Sequence, residues 1–254
     1  MNFIGFKTIF KREVTRVLRI WPQTLIPPII TTSLYFIIFG KILFKNRLIL
    51  FAGQTISYSQ YLISGLVAMA VIINSYNSAS SSFFSMKFQK NIEELLVSPL
   101  STWVIILGCS VGGVFRGMTN GIMILITALC FEQININLSF ICFFIALSVS
   151  FFFSVAGMIN AILSKTFDNI TWFPAFILTP MVYLSGVFFT IETLSSFWQV
   201  VTIVNPVYHF VNIFRQSLLN AGHFNYLSFA IILVGNVILF ILAIYLFNQK
   251  LKNK

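Results

Sequence analysis

Charged residues are scarce in this chain of 254 residues, where only 9% are Asp, Glu, Lys or Arg and 58% are hydrophobic. A soluble domain of this length usually carries about a quarter charged residues and could not keep so much apolar surface from water. The sequence also has no Gly/Ser/Pro-rich or charged linker. We therefore predict an integral membrane protein with a single transmembrane domain over residues 1–254.

Residues that carry catalysis or bind metals are equally rare. The three cysteines lie in apolar runs without zinc-type spacing, so we expect no metal site. His209 and His223 fall on the opposite side of the predicted topology from Asp168, so we expect no catalytic group set. The G-x-x-x-x-G-K-[ST] phosphate loop is missing as well, and we expect this chain to bind no nucleotide or other cofactor itself.

The formal net charge of +10 would suit a nucleic-acid binder, but the basic residues sit between apolar runs and mostly near the chain ends. That distribution is typical of charges that set membrane topology and meet anionic lipid. We therefore expect contact with a lipid bilayer and none with nucleic acid.

Six runs are apolar and long enough to cross a bilayer, which takes roughly 20 residues of helix. They cover about 22–43, 59–83, 103–130, 138–163, 170–189 and 226–247. Pro174 and Pro180 interrupt the fifth run and predict a kink there. The predicted fold is an all-α membrane protein with six transmembrane helices.

Lys and Arg are distributed unevenly over the segments between these runs. If the N-terminus is inside, eleven of the 16 basic residues lie in inner segments: Lys7, Lys11, Arg12, Arg16, Arg19, Lys87, Lys90, Lys165, Lys250, Lys252 and Lys254. The outer segments hold Lys41, Lys45, Arg47 and Arg215, while Arg116 falls inside the third run. The excess predicts cytoplasmic N- and C-termini, although the first outer loop is itself basic.

Residues 1–20 are predicted to form an amphipathic interfacial helix. Apolar side chains recur at helical spacing at Phe3, Phe6, Phe10, Val14 and Val17. The intervening face is basic and carries Lys7, Lys11, Arg12, Arg16 and Arg19. Such a helix is expected to lie along the membrane surface with its apolar side down.

Residues 86–102, between the second and third runs, form the most polar inner segment. They predict a short helix with an apolar stripe, Ile92, Leu95 and Leu96, and with Glu93 and Glu94 facing elsewhere. Pro99 is expected to end this helix. The residues leave two interpretations open: a helix that transmits force to a soluble partner, or one that rests on lipid headgroups.

The connection after the fifth run is predicted to be irregular, with short re-entrant outer helices over 190–206. Ser185 and Gly186 are small enough to allow close helix approach, and Asn205-Pro206 is a helix-start signal. Arg215 follows on that helix, and we expect it to meet lipid phosphate or backbone carbonyls rather than substrate.

Polar residues inside the runs are few, and Arg116 is the only clear charge among them. Arg116 and Asn120 are candidate path or packing residues. Arg116 is expected to reach interfacial or carbonyl oxygens, with an anionic headgroup as the alternative ligand. Asn120, like Asn74, Asn77 and Asn160, is expected to form hydrogen bonds between helices.

Three blocks resemble the ABC-2 type transporter permeases: EELLVSPLST (93–102), LSGVFF (184–189) and NPVYHFVNIFR (205–215). Further agreement in 75–89 and 161–186 is similar to the small bacterial inner-membrane permeases that pair with a separate ATPase. The resemblance implies a multi-pass protein of the bacterial inner (plasma) membrane. It also implies an exporter of two permease chains, expected to be a homodimer, and two ATP-binding chains that hold ATP and Mg²⁺.

The resemblance also implies roles for individual residues. The coupling contact with the ATPase would be made by Ile92, Glu93, Glu94, Leu95 and Leu96. The structural residues of the family motifs would be Ser98, Pro99, Ser185, Gly186, Asn205, Pro206 and Arg215. No catalytic residue is implied, because ATP hydrolysis would belong to the partner chain.

Because the six apolar runs contain few charged residues, we expect an amphipathic or lipid-linked cargo and not a metal ion. The sequence shows neither the charge rings of an ion channel nor the ionisable set and inverted repeat of a secondary transporter. The alternative function is a non-transporting multispan membrane protein that recruits a cytoplasmic partner.

Overall fold

The computed structural model describes residues 2–44, 47–131, 139–222 and 225–252. Lys45, His223, Lys254 and the predicted start of the fourth run at residue 138 lie outside the described residues. The described chain is a bundle of α-helices with one short β-hairpin. The two strands have only four residues each, so the predicted all-α membrane fold is confirmed, although the hairpin itself was not predicted.

Two helices open the chain. Helix α1 covers Asn2–Arg19, and α2 covers Trp21–Tyr35 and continues in π-helical geometry over Phe36–Leu43. Pro22 sits in the first turn of α2, where a missing backbone N–H costs nothing because that donor has no partner within the helix. Pro27 and Pro28 lie inside the same helix.

The hairpin pairs β1, Leu48–Phe51, with β2, Gln54–Ser57, in an antiparallel register that sets Ile49 opposite Ile56. Its turn places Ala52 and Gly53 at positive φ, as a tight two-residue hairpin turn requires. Alternation in this segment is short and interrupted, so the sequence carries only a weak strand signal.

The middle of the chain forms the long helices. Helix α3 covers Tyr58–Phe88, α4 covers Ile92–Val97, α5 covers Thr102–Phe131 and α6 covers Phe140–Leu163. Ser57 and Gln60 form a capping box that satisfies the free N–H groups at the start of α3. Most of α3 is buried, so this helix is the centre of the bundle.

The last third contains shorter helices. Helix α7, Phe167–Phe173, continues through a π-helical stretch, Pro174–Leu178, into α8, Thr179–Tyr183. After a 3₁₀ turn at Ile191–Thr193 come α9, Ser196–Val204, α10, Pro206–Leu219, and α11, Tyr226–Phe247, which ends in a π-helical turn over Asn248–Lys252. The predicted outer segment 190–206 therefore contains one 3₁₀ turn and one short α-helix.

Among the described residues, five helices are long and apolar enough to cross a membrane: Trp21–Leu43, Tyr58–Phe88, Thr102–Phe131, Phe140–Leu163 and Ser228–Leu251. The fifth predicted run, 170–189, instead coincides with α7, the π-helical stretch and α8, which have 7, 5 and 5 residues. It ends early because the chain turns at Gly186, whose φ is +75°. The exact six-span layout is thus not confirmed, although a multi-pass helical membrane protein is.

Two hydrophobic clusters follow one another along the bundle. One gathers Ile9, Phe83, Ile92, Ile106 and Phe247, and we call its side of the molecule the basal end. The other gathers residues of α3, α6 and α10, including Leu62, Ile145 and Phe214. Beyond it lie the hairpin, the 184–190 loop and the start of α10, which we call the distal end.

Candidate functional site

The predicted coupling segment lies at the basal end as helix α4. Ile92 is buried in the basal cluster, and Leu95 and Leu96 are partly buried against it. The apolar stripe therefore packs at least in part on its own chain, and its contact with a partner stays a prediction. Glu93 and Glu94 point away and are exposed.

The end of α4 is shaped by the Ser-Pro pair that follows it. The Ser98 hydroxyl donates to the Leu95 carbonyl oxygen at 2.6 Å, and the Ser98 N–H donates to the Glu94 carbonyl oxygen at 3.2 Å. Extended backbone at Ser98 and the following Pro99 end the helix, as predicted. Val97, 87% exposed, adds one apolar side chain to the outward surface of this segment.

Helix α1 packs along α5, and its buried residues share only Val17 with the predicted apolar stripe. Its buried residues are Ile9, Glu13 and Val17, whereas Phe3 and Phe10 of the predicted apolar stripe are exposed. The approach depends on two glycines of α5, since an added Cβ would lie 2.7 Å from Ile9 at Gly108 and 2.7 Å from Glu13 at Gly112. Whether the exposed Phe face lies on a membrane surface stays a prediction.

Glu13 is a buried carboxylate, only 1% exposed, at the contact of α1 with α3 and α5. Its Oε2 accepts from the Ser82 hydroxyl at 2.7 Å and pairs with Arg16 at 3.1 Å, while Oε1 lies 3.5 Å from Arg12. A buried charge is tolerated when it is paired and hydrogen-bonded, as Glu13 is. One signal could have identified it: Glu13 is the only acidic residue in the first 20.

Serine hydroxyls continue this polar contact between the helices of the bundle. Ser75 and Ser150 share a hydrogen bond at 2.7 Å, and the Ser154 hydroxyl donates to the Ser110 carbonyl oxygen at 2.6 Å. These bonds join α3 to α6 and α6 to α5 where small side chains let the backbones approach closely. The serines of 75–85 were noted as part of the family resemblance, but this packing role was not predicted.

Lys87 fastens the basal end of α3 to the end of α6. Its Nζ donates to the carbonyl oxygens of Ala161, Ile162 and Ser164 at 3.3, 2.8 and 2.6 Å. A cation at a helix C-terminus satisfies carbonyls that have no partner within the helix. From the sequence, Lys87 is expected only to contribute to the membrane topology. The structure adds its role in capping the end of α6.

Arg116 and Asn120 lie one turn apart in the middle of α5. The Arg116 Nε is buried without a hydrogen-bond partner in the described structure, and Arg16 lies close enough to repel its charge. Asn120 is fully buried and donates back to the Arg116 carbonyl oxygen at 2.9 Å. The predicted interhelical hydrogen bond of Asn120 is therefore wrong.

Of the other asparagines in that prediction, Asn77 is exposed, and Asn74 and Asn160 differ from each other. Asn74 donates to the Ala70 carbonyl oxygen of its own helix, at 2.9 Å. Asn160 donates at 2.9 Å to the Ile170 carbonyl oxygen and so joins α6 to α7, which confirms the prediction for this residue alone.

At the distal end, α10 begins at Pro206, as the Asn205-Pro206 pair predicted. The Asn205 side-chain oxygen accepts from the Val207 N–H at 3.0 Å, and Pro206 occupies the first helical position. The Asn205 amide also donates to the Met181 carbonyl oxygen at 2.6 Å. One side chain thus caps α10 and ties it to α8.

Arg215 is fully enclosed, at 1% exposure, and so does not meet lipid phosphate as one of the two sequence alternatives proposed. Its Nε donates to the Ser64 hydroxyl oxygen at 3.0 Å, and its Nη2 donates to the Gly186 carbonyl oxygen at 2.9 Å. The guanidinium carbon also lies 3.6 Å from the centre of the Tyr61 ring. Burial lowers the pKa of Arg215 below its ordinary value, because desolvation disfavours the cation.

The 184–190 loop is held by the same group of residues. The Tyr61 hydroxyl lies 2.8 and 2.9 Å from the carbonyl oxygens of Gly186 and Phe189, which share its one proton, and Tyr58 donates to the carbonyl oxygen of Phe188 at 2.9 Å. Ser185 is buried and donates to the Val182 carbonyl oxygen at 2.6 Å. The conformation of the Leu-Ser-Gly block is therefore set by aromatic and basic residues from two distant helices.

The comparisons with known proteins identify the family of this chain. The family model described as "ABC-2 type transporter" matches residues 4–219, from the first turn of α1 to the end of α10. The chain is 41% identical over 249 residues to the inner membrane transport permease YadH of Escherichia coli K12, covering 97% of this chain and 93% of that protein.

Two more distant relatives carry transport-related or nodulation names. The chain is 29% identical over 171 residues to nodulation protein J of Neorhizobium galegae, covering 66% of this chain and 64% of that protein. It is 26% identical over 170 residues to the probable multidrug ABC transporter permease YbhR of Escherichia coli K12, covering 66% of this chain and 46% of that protein.

Proposed function

This chain belongs to the ABC-2 type transporter family, and from that premise we propose that it is the permease subunit of an ATP-driven exporter. It is a multi-pass membrane protein related to an inner membrane transport permease. In the proposed complex a separate ATP-binding chain holds ATP and Mg²⁺ and carries out hydrolysis, while this chain forms the route for the cargo. The match over 4–219 is the observation that carries the proposal.

Helix α4 is proposed as the contact with the ATP-binding chain. Two exposed carboxylates, Glu93 and Glu94, offer a surface that selects a basic partner. Ile92 on the opposite face is 5% exposed and packs into the basal cluster. Because interiors are close-packed, a push on the exposed face of α4 would move α3 and α5 with it. This contact would lie in the cytoplasm, together with both termini.

A second permease chain, in a homodimer, is proposed to complete the route. Helix α3 fills the middle of one chain, with 83% of its most apolar window buried, whereas the corresponding window of α2 is only 11% buried. A route through a single chain would have to displace α3, but a route between two chains would not. Switching between inward and outward access would then be a rigid-body transition between two packings of the pair.

The cargo is proposed to be amphipathic or lipid-linked. Apart from Arg116, Thr119 and Asn120, the middle of α5 carries apolar and small side chains, and the carboxylates that ion transport needs are absent from this helix. Transport of a simple metal cation by the purified, reconstituted complex would contradict this part of the proposal.

Charge reversal on α4 tests the coupling contact. We expect Glu93→Lys with Glu94→Lys to reduce copurification of the ATP-binding chain about tenfold, since each reversal replaces an attraction with a repulsion. Vanadate-sensitive ATP hydrolysis in proteoliposomes should fall in parallel. Asp168→Lys and Glu192→Lys are matched controls, because both carboxylates are exposed and lie outside α4.

Three results would contradict the proposal. Equal loss in the controls would show that net charge and not α4 is responsible. Unchanged copurification in the double variant would remove α4 as the contact. A wild-type chain that binds the ATP-binding chain but neither stimulates hydrolysis nor moves any cargo would support the alternative of a non-transporting protein that recruits a partner.

A further inference from the structure

A groove of about 830 Å³ opens at the basal end between α1 and the last turns of α3. Five basic side chains line it: Lys7, Lys11, Arg12, Arg16 and Arg19. Ser85 and Gln89 of α3 lie on the opposite wall and offer uncharged hydrogen-bond donors. This is a concentration of positive charge that neither the packing of α1 nor the contact of α4 explains.

The charges of the groove are not balanced within the described part of the chain. Glu13 is the one carboxylate that lines it, and its two oxygens are already used by Arg12 and Arg16. Lys7, Lys11 and Arg19 are exposed and have no carboxylate within ion-pair distance among the described residues. A cleft lined by one sign of charge attracts a ligand of the opposite sign.

The length of α3 indicates the level of the groove. Its 31 residues span roughly 46 Å at about 1.5 Å per residue, whereas the hydrocarbon core of a bilayer is roughly 30 Å thick. Because α3 is longer than the hydrocarbon is thick, the mouth of the groove at Ser85, Met86 and Gln89 fits the level of lipid headgroups. The groove extends from this mouth along α3 as far as Arg16, which contacts Ser78.

Apolar side chains beside the charges favour a lipid over a water-soluble ligand. Ile20 and Met86 line the groove, and Phe3 and Phe10 are 78% and 41% exposed on the same helix that carries the cations. A basic helix with exposed aromatic side chains is typical of contact with an anionic membrane surface. The acidic surface of a soluble protein would meet the cations but leave these aromatic rings in water.

We propose that this groove binds the phosphate group of an anionic lipid at the basal end of the protein. The ammonium groups of Lys7 and Lys11 and the guanidinium of Arg19 neutralise the phosphate charge, while Glu13 keeps Arg12 and Arg16 in place. The proposal does not depend on transport, so it can hold or fail separately from the proposed function.

Lipid retention by the purified full-length chain tests the proposal. The probe is a bilayer nanodisc of equal parts phosphatidylglycerol and phosphatidylcholine, with the lipids carried through release into the gas phase counted by native mass spectrometry. Each basic residue near a membrane surface adds roughly fivefold to anionic lipid affinity. We therefore expect Lys7→Gln, Lys11→Gln and Arg19→Gln together to reduce phosphatidylglycerol affinity at least tenfold.

The matched control removes the same charge elsewhere, through Lys41→Gln, Lys165→Gln and Lys250→Gln, all three of which are exposed and outside the groove. The control should retain phosphatidylglycerol like the wild type. Lys7→Arg, Lys11→Arg and Arg19→Lys together should also retain it, since they keep the charge. Equal retention by the groove variant and the wild type would overturn the proposal.

Two further arms separate the sources of the ligand. Inorganic phosphate at millimolar concentration should not displace phosphatidylglycerol; full displacement would show a site for free phosphate and overturn the lipid assignment. The third arm adds the ATP-binding chain. If the groove variant loses that chain but keeps its lipid, the groove is a protein-docking surface and the proposal is wrong.

Discussion

Two buried charges at opposite ends of the molecule are stabilised in different ways. Glu13 at the basal end is paired with Arg12 and Arg16, whose side chains are 43% and 30% exposed. Arg215 at the distal end has no acidic partner among the described residues, and is held by a hydroxyl, a carbonyl and an aromatic ring. Water or a ligand can replace Glu13 as the partner of the exposed arginines, whereas water has no access to the contacts of Arg215.

This difference indicates where the protein can move and where it is fixed. The distal contacts of Arg215 join α10 to α3 and to the 184–190 loop. At the basal end, the partly exposed arginines line the groove that also reaches Gln89, three residues before α4. We infer that the distal end acts as the fixed end of the bundle and that the basal end responds to partners.

Removal of the distal charge should have the largest effect on stability. Arg215→Met keeps the stem but loses two charge-assisted hydrogen bonds and the contact with Tyr61, which together are expected to cost about 3 kcal/mol. The measurement is the free energy of unfolding in detergent, with Arg47→Met, an exposed arginine 5.3 Å from the Phe44 ring, as the control. A more stable Arg215→Met would mean that desolvation of the guanidinium outweighs its contacts.

The close approach of Arg215 also depends on Gly65, and its replacement should have the next largest effect. A Cβ at position 65 would lie 2.7 Å from the Arg215 Nη2 and 2.9 Å from the Val187 carbonyl oxygen. Gly65→Ala is expected to destabilise the protein by about 2 kcal/mol through overpacking. Part of that cost should disappear in the Arg215→Met background; a strictly additive double variant would show that the clash is with the backbone alone.

The smallest effect is expected for the basal charge. Glu13→Gln keeps a hydrogen-bond acceptor for Ser82 but loses both ion pairs, and about 1 kcal/mol should be lost because the arginines can turn to water. Unfolding measured at low and at 1 M NaCl distinguishes the two ends. The Glu13→Gln difference should shrink with salt, while that of Arg215→Met should not. The same salt response at both ends would refute the comparison.

Local signals in the sequence were sufficient for several elements. Asn205-Pro206 starts α10 and Pro99 follows the end of α4, because capping and proline geometry act within a few residues. Helical periodicity also identified α1 as a helix, but not the face that it buries. That face is chosen by Gly108 and Gly112, about 100 residues away, and no local pattern contains them.

Tertiary contacts also decided the fate of the fifth apolar run and of the hairpin. The run 170–189 has the composition of a span, yet its helix ends at Tyr183 and the following loop is held by Tyr58 and Tyr61. The hairpin packs Phe51 against Tyr61 at 5.8 Å between ring centres. Both outcomes depend on the first turn of α3, whose Tyr58 and Tyr61 contact the 184–190 loop and the hairpin only in the folded protein.

By itself, the sequence determined that this protein crosses a membrane several times, since apolar length and scarce charge leave no other solvent for it. Its motifs also indicated the family, which the match over residues 4–219 confirms. Only the tertiary structure decided that Arg215 is enclosed, that Glu13 is paired and that the stripe of α4 packs inward. Burial of a charge depends on neighbours from distant segments, and composition and periodicity do not specify those neighbours.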